Sequence, residues 1–342
     1  MSSRKEAPVR RRSWFWPLFC VGLVGVLLMF SLLNLNGQQP RKVAGRALKL
    51  SDIPFNGDRS YQALQEICKI GPRVSGSEGM LAQQKWVEEK FTELGAKVSW
   101  QKFDARHPQD GSKVPMANAI IEWHPERMER ILFCCHYDTR PFPDNDPDPR
   151  KRKGKFVGAN DGASGVALFA ELGRHIQELP GKTYGVDFVI FDGEELVFDA
   201  NRDKYFLGSE YFAEQYRAAP PPHKYVKGVL VDMIADAELH LFYETNSFEN
   251  KVARSTMLDI WETARKLGVA EFHKTIRHEI RDDHLALNKT AKIPTCDVID
   301  FDYPRPGAQT YWHTTADVPE HCSALSLAKV GWVLVEWLKQ QK

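Results

Sequence analysis

The chain of 342 residues lacks an excess of charge of either sign, since 46 Lys and Arg residues are balanced by 45 Asp and Glu residues. This balance argues against nucleic acid as a partner, because domains that bind it usually carry a basic surplus. Cysteine is also scarce. The six cysteines show no CxxC spacing, which argues against a zinc ribbon or a disulfide framework and leaves at most one unassigned disulfide open. Internal repeats and long low-complexity segments are absent as well.

Long uncharged runs are absent from the chain except at one place, residues 14–35, which read WFWPLFCVGLVGVLLMFSLLNL. The run is long enough to cross a bilayer as a helix, and Trp14 and Trp16 lie where a headgroup belt would be. We therefore predict a basic cytoplasmic segment (1–13), a transmembrane signal-anchor helix (14–35), a tether (36–57) and one large folded domain (58–342). The alternative is a cleaved signal peptide, although the run exceeds the usual apolar core of roughly 7–15 residues.

The basic residues before this run predict on which side of the membrane the domain lies. Positive charge usually stays in the cytoplasm, so we expect a single-pass membrane protein with its domain on the periplasmic or the extracellular and lumenal side. The membrane would then be a partner through the N-terminal helix only.

Beyond the tether, helical patterns alternate with short apolar runs. The strand candidates are nearly continuously apolar, as in strands buried on both faces. This pattern predicts an α/β fold, a three-layer sandwich in which helices flank a mostly parallel, mixed sheet. The main strand candidates are AKVSWQKF, ANAIIEW, RILFCC, VDFVIF, KGVLVD and a short run at 295–299.

Titratable residues follow several of these predicted strands, where the ligands of α/β sheets usually bind. Each has an ordinary explanation by itself, such as a helix cap for an Asp or a satisfied polar contact for a His. Together, carboxylates and imidazoles at strand ends are the ligand types that zinc prefers. The residues concerned are His136, Asp161, the pair Glu194 and Glu195, Asp232, and His313.

Five short motifs occur in a fixed order: HYDTR, GANDGASG, FDGEE, VDM and WHTTAD. In this order and at these spacings they resemble the zinc-dependent aminopeptidase family that also contains the glutaminyl-peptide cyclotransferases. The resemblance implies Zn²⁺ as cofactor, one ion or two, with peptide or protein N-termini as substrates. It implies that one zinc is held by Asp161, Glu195 and His313, that a second would be held by His136 and Asp232 with Asp161 bridging, and that Glu194 is the general acid/base.

Three features favour the cyclotransferase branch, an acyltransferase activity that converts N-terminal glutamine into pyroglutamate. The segment after Glu195 is long, Trp312 precedes His313 as a possible wall for the substrate, and RDDHLAL resembles a cyclase motif. In that motif Asp282 would join a hydrogen-bonded carboxylate chain to the substrate amine. The resemblance thus implies Glu194, Asp282 and Asp232 as the catalytic residues. Two positions depart from the animal cyclases, since Ala200 stands where they have a tryptophan and Val166 where they have a disulfide cysteine.

Other interpretations stay open. The first is a metallo-aminopeptidase, a hydrolase that cleaves the first peptide bond, and a second is a non-catalytic receptor domain for peptide N-termini. Trp312 would then simply pack on the sheet, and Asp282 or Asp283 would cap a helix. Asp236 competes with Asp232 as a ligand, but Asp232 is preferred because it directly ends an apolar run.

Overall fold

The computed structural model describes residues 47–177, 179 and 184–341. Residues 1–46 lie outside this part, so the predicted anchor at 14–35 stays a prediction. Among the described residues, none of the helices is both long and apolar enough to span a bilayer.

Eight helices and eight strands alternate along much of this part of the chain, as the sequence predicts. The helices are α1 (Gly57–Ile70), α2 (Glu78–Glu93), α3 (Ser164–Gln177), α4 (Leu207–Ala218), α5 (Thr245–Glu249), α6 (Lys251–Leu267), α7 (His284–Ala286) and α8 (Ala324–Lys339). The strands are β1 (Lys97–Arg106), β2 (Lys113–Trp123), β3 (Glu129–His136), β4 (Gly185–Phe191), β5 (Lys224–Asp232), β6 (Leu241–Tyr243), β7 (Phe272–Ile276) and β8 (Thr295–Ile299). Short 3-10 turns at Leu50–Asp52 and Pro319–His321 and a π-helical turn at Leu287–Ala291 complete the secondary structure.

The main sheet has six strands in the order β1-β2-β4-β3-β5-β8. Strands β4, β3, β5 and β8 run parallel, whereas β1 and β2 are antiparallel to their neighbours. The predicted mixed, mostly parallel sheet is therefore confirmed. Since the carboxyl ends of the four parallel strands meet at one edge, the sheet brings the residues that follow them together.

Helices cover both faces of this sheet. Successive side chains of a strand point to opposite faces, and in β3 Phe133 packs in the larger core, which includes residues of α1, α2, α3, α6 and α8. Its neighbours Leu132 and Cys134 pack in the smaller core, with Phe212 of α4 and Leu287. The fold is thus the predicted helix–sheet–helix arrangement.

Two details differ from the sequence prediction. Ile53 and Phe55, which we assigned to the tether, are buried in the larger core, so the packed unit extends back beyond residue 58. The sequence from 247 to 267 predicts one long helix, but the structure has two helices in this region, because the Asn250 side chain accepts hydrogen bonds from the Val252 and Ala253 amides and starts a new helix there. The five cysteines of the described residues are free thiols.

Candidate metal centre and active site

Most side chains of the candidate site lie at or directly after the ends of three neighbouring strands. Strand β3 ends at His136, β5 ends at Asp232, and Glu194 and Glu195 follow β4. Because β3 lies between β4 and β5, these side chains meet at one point of the sheet edge. The pairing of the strands therefore explains how residues almost a hundred positions apart share one site.

Asp161 reaches the same point from the loop that precedes α3. Gly162 has a φ of +93°, and a Cβ there would lie 2.6 Å from the Asp138 carbonyl oxygen and 3.3 Å from Cε1 of His136. Glycine is required because only it accepts both this conformation and this close approach. The buried Arg73 donates to the carbonyls of Val157 and Gly158 and so fixes the start of the loop.

His313 lies in the irregular segment after β8 and has a left-handed backbone conformation, with a φ of 54°. Met233, directly after Asp232, shares this conformation with a φ of 48°. Such conformations cost about 1–3 kcal/mol for residues other than glycine and cluster at functional sites. Phe156 packs edge-on against the His313 ring, and the His313 carbonyl accepts from the Asn145 amide.

The side chains form two groups that could each hold a metal ion, and Asp161 belongs to both. In the first, Nε2 of His313 lies 3.4 Å from Oδ2 of Asp161 and 2.6 Å from Oε1 of Glu195. In the second, Nε2 of His136 lies 3.2 Å from Oδ1 of Asp161 and 3.3 Å from Oδ1 of Asp232. The structure thus brings together all five predicted ligands.

The donor atoms of both groups suit zinc. Ligand atoms at 2.0–2.2 Å from a tetrahedral zinc lie about 3.3–3.6 Å apart. The separations of 3.4, 3.3 and 3.2 Å are in or close to this range, whereas the 2.6 Å between His313 and Glu195 is shorter. Both ring nitrogens of His313 and Oδ2 of Asp161 are buried without a hydrogen-bond partner. Buried polar atoms normally have a partner, so these orphaned atoms fit a site built to hold a cation.

The protonation of these groups reflects crowded negative charge. Burial and the nearby Asp161 carboxylate raise the pKa of Glu195. Burial also raises the pKa of Asp232, against the opposing effect of His136. For His313, burial lowers the pKa but Glu195 and Asp161 outweigh it and raise the value to about 9. A dication would compensate this excess of carboxylates.

Sequence reasoning missed the residues that support the ligands. The Asp138 carboxylate accepts from the backbone amides of Glu194, at 3.1 Å, and of Glu195, at 2.9 Å. Asp317 does the same for the amides of Asn160 and Asp161, at 2.7 and 3.1 Å. Both aspartates occur within the quoted motifs HYDTR and WHTTAD, so a carboxylate inside each motif was the available signal.

Glu194 belongs to neither ligand group. Its side chain is 12% exposed, lines a cavity of about 290 Å³ that Asp161, Glu195 and His313 also line, and lies 3.9 Å from Nδ1 of His136. Burial, together with the neighbouring Glu195 carboxylate, raises the pKa of Glu194 well above its usual range. A carboxyl group of this kind is suited to hold and release a proton beside a bound molecule.

Trp312 and Asp282 also line this cavity. The Trp312 ring stacks on that of His313, with 3.9 Å between centroids, and packs against Phe301. Asp282 is buried and its Oδ2 atom has no hydrogen-bond partner. Ala200 lies at the cavity as well, so the position at which animal cyclases carry a tryptophan presents only a methyl group here.

Comparison with known proteins places this site in a family. Residues 118–338 match the model of peptidase family M28. The chain belongs to peptidase family M28. A solved M28-like relative, the glutaminyl cyclase of Fimbriiglobus ruber, is 38% identical with a TM-score of 0.79, over 84% of this chain and 96% of that one.

Two further relatives show the range of activities among similar proteins. A Zn-dependent exopeptidase from Parabacteroides distasonis is 30% identical, with a TM-score of 0.76 over 84% of this chain and 99% of that one. The glutaminyl-peptide cyclotransferase of Bothrops jararaca is 24% identical over 293 residues, which cover 77% of this chain and 75% of that protein. Membership of the M28 family and the site geometry together indicate a zinc-dependent enzyme.

Asp236, the competitor of Asp232, is buried outside the cavity and belongs to neither ligand group of the described residues. Its Oδ2 atom has no partner, and burial raises its pKa to about 7. Because the folded pKa exceeds the unfolded value of about 3.9, the fold disfavours the charged form. The free energy of unfolding therefore decreases as the pH rises from about 4 to 7 and stays at the lower value above pH 7.

We predict that Asp236→Asn stabilises the protein at pH 8 by roughly 1–3 kcal/mol, because the uncharged amide avoids this cost. The measurement is chemical unfolding of both proteins at pH 4.5 and pH 8, at one fixed zinc concentration. The difference should shrink strongly at pH 4.5. A variant that is equally or less stable than wild type at pH 8 would contradict the assignment of Asp236 as a buried carboxylate whose charge destabilises the fold.

Proposed function

We propose that this M28 protein is a zinc-dependent glutaminyl-peptide cyclotransferase, which converts N-terminal glutamine into pyroglutamate and releases ammonia. The observation that carries the proposal is that two carboxyl groups, the partly buried Glu194 and the buried Asp282, line one small cavity together with Asp161, Glu195 and His313. Cyclisation needs a positioned amine and a proton shuttle, and it uses no water. The similarity to glutaminyl cyclases supports the same activity.

Asp161, Glu195 and His313 would hold the zinc ion in this reaction. When bound, zinc polarises a carbonyl group such as that of the glutamine side-chain amide. Two neighbouring carboxylates keep the ligand side chains in place. Asp138 accepts hydrogen bonds from the amides of Glu194 and Glu195, and Asp317 accepts them from the amides of Asn160 and Asp161. Such fixed outer contacts are typical of metal centres.

The protein side chains account for the movement of the proton. In the proposed reaction the α-amine nitrogen forms a bond to the side-chain amide carbon, and the carbon–nitrogen bond of that amide breaks. Glu194 accepts a proton from the attacking amine and donates it to the leaving nitrogen, which departs as ammonia. Asp282 accepts a hydrogen bond from the same amine and so orients it toward the amide carbon. Positioning of this kind can contribute several kcal/mol to the rate.

The cavity wall suits a substrate side chain that folds into a ring. Trp312 offers an indole face beside His313, and Ile299 and Phe301 extend the apolar wall. Apolar walls exclude water and so disfavour hydrolysis of the bound peptide. Because Ala200 stands where the animal cyclases have a tryptophan, this wall is less aromatic here than in those enzymes. The small side chain leaves room for a substrate residue larger than alanine beside the glutamine.

The second candidate function is a metallo-aminopeptidase. It is favoured by the complete second ligand group of His136, Asp161 and Asp232, since paired metal ions occur in aminopeptidases. A receptor domain without catalysis, the third alternative, does not explain Glu194, a partly buried carboxyl group that lies beside the ligands and belongs to neither ligand group.

We predict that the purified protein, supplied with zinc, releases ammonia from a glutaminyl peptide and leaves a leucyl peptide of the same remaining sequence intact. Mass spectrometry of the two peptides, with a separate assay for free amino acids, checks this outcome. A chelator-treated sample is the control for metal dependence. Release of a free N-terminal residue from either peptide would contradict the proposal in favour of an aminopeptidase.

A further inference from the structure

One wall of the cavity is an irregular segment, residues 279–283, which we call the wall segment. Glu279, Ile280, Arg281 and Asp282 all line the cavity. The segment lies between the end of β7 and the start of α7. The carbonyls of its last two residues, Asp282 and Asp283, accept from amides of the helical turn that follows, whereas residues 279–281 belong to neither a strand ladder nor a helix. Since Asp282 depends on this backbone for its position, contacts elsewhere must fix the segment.

Glu244 provides these contacts from the start of α5. Its carboxylate is 1% exposed, and its Oε1 atom accepts from the Ile280 amide at 3.1 Å and the Asn246 amide at 2.9 Å. Its Oε2 atom accepts from the amide and the hydroxyl of Ser247, at 2.7 and 2.8 Å. Asn246 in turn donates through Nδ2 to the Ile280 carbonyl, at 3.0 Å. Both polar backbone atoms of Ile280 are thereby tied to this turn.

His284 directly follows the wall segment and lies between two buried carboxylates. It is fully buried, and neither ring nitrogen makes a hydrogen bond of ordinary length. Its Nε2 atom lies 3.4 Å from Oε2 of Glu244, and its Nδ1 atom lies 3.8 Å from Oδ2 of Asp297. Ile280 and His284 flank Asp282 in the sequence, so Glu244 contacts the chain both before and after Asp282.

The charge on Glu244 agrees with this arrangement. Burial raises the pKa of Glu244, but the His284 contact and the backbone donors outweigh it and lower the value to about 2. The group is therefore a carboxylate at neutral pH. Hydrogen bonds to an ionised acceptor are about twice as strong as neutral ones, which suits a contact that must hold an irregular segment.

We propose that Glu244 is a positioning residue that, together with His284, holds the wall segment so that Asp282 faces the bound substrate amine. The role of Asp282 in this proposal rests on the proposed function, whereas the anchoring of the wall segment does not. Glu244 acts only through the segment, because it does not line the cavity itself.

The substitution Glu244→Gln tests the proposal, because the amide keeps the shape but turns one acceptor into a donor that faces other donors. The matched control is Glu171→Gln, since Glu171 is also buried, bonded to Arg59 and 3.5 Å from His175, but lies on α3 away from the cavity. Hydrogen–deuterium exchange of peptides that cover 279–283 gives a readout that needs no activity. Should Glu244→Gln fail to fold, Asn246→Ala removes the Nδ2 bonds to the Ile280 carbonyl and to Oε1 of Glu244 but leaves the Glu244 carboxylate and its bond to the Ile280 amide.

We expect exchange in the wall segment to rise at least tenfold in Glu244→Gln and to stay unchanged in Glu171→Gln. We also expect kcat to fall at least tenfold with zinc content unchanged, and no more than twofold further when Glu244→Gln is combined with Asp282→Asn. Residues that act through one another show such non-additive effects. Unchanged exchange, or a full additional loss in the double variant, would overturn the proposal. A wild-type protein that cyclises no peptide would instead overturn the proposed function, and exchange would still test the anchoring.

Discussion

Glu194→Gln is expected to retain its zinc and to lose at least a hundredfold in turnover. The side chain lines the cavity but belongs to neither ligand group, so the metal should not depend on it. Its buried position beside Glu195 raises its pKa, which makes it a group that can exchange a proton with the substrate. General acid/base catalysis contributes roughly 10²–10⁴-fold, and glutamine keeps the shape while removing this capacity.

The control for this prediction is the adjacent carboxylate, Glu195. Since its Oε1 atom lies 2.6 Å from Nε2 of His313 within a ligand group, Glu195→Gln should lower zinc content as well as turnover. Metal analysis after dialysis and kcat with a glutaminyl peptide distinguish the two variants. If Glu194→Gln keeps normal turnover, another group transfers the proton and our assignment of this residue is wrong.

Asp161→Asn is expected to have the largest effect on metal binding, because Asp161 is the residue shared by both ligand groups. Burial raises the pKa of Asp161, but the nearby imidazoles of His136 and His313 outweigh it and lower the pKa, so Asp161 is a carboxylate at neutral pH. The neutral amide removes the charge from the middle of the site. Polarisation by a metal is worth several kcal/mol, which corresponds to a loss of turnover of about a thousandfold.

Two histidine variants serve as controls, and their zinc content shows whether the protein binds one zinc ion or two. His313→Gln alters only the Glu195 group, and His136→Gln alters only the Asp232 group. With one ion in the Glu195 group, His136→Gln should retain its zinc, and with two ions it should lose one equivalent. Normal zinc content and turnover in Asp161→Asn would contradict the assignment of Asp161 as the shared ligand.

The sequence predicted the main features of the sheet and the ligand residues because both depend on local patterns. His136 and Asp232 directly end apolar strands, so their place at the sheet edge follows from the order of elements. The anchoring of Asp282 could not be predicted in this way. Glu244 and His284 are 40 positions apart and meet only through tertiary packing, and although His284 belongs to the motif RDDHLAL, nothing in that motif points to Glu244. The buried Phe55 was missed for a similar reason, since the apolar run of residues 53–55 is too short to show the period of a helix or a strand.

The central claim is that this M28 protein closes a ring without consuming water. The most direct measurement is a reaction of a glutaminyl peptide in water enriched in oxygen-18, followed by mass spectrometry of all products. We predict one ammonia for each pyroglutamyl peptide formed, no oxygen-18 in that peptide and no free amino acid, with the rate of product formation reduced at least a hundredfold in Glu194→Gln. A free N-terminal glutamine or glutamate that carries oxygen-18 would show that water attacks the substrate and would contradict the account.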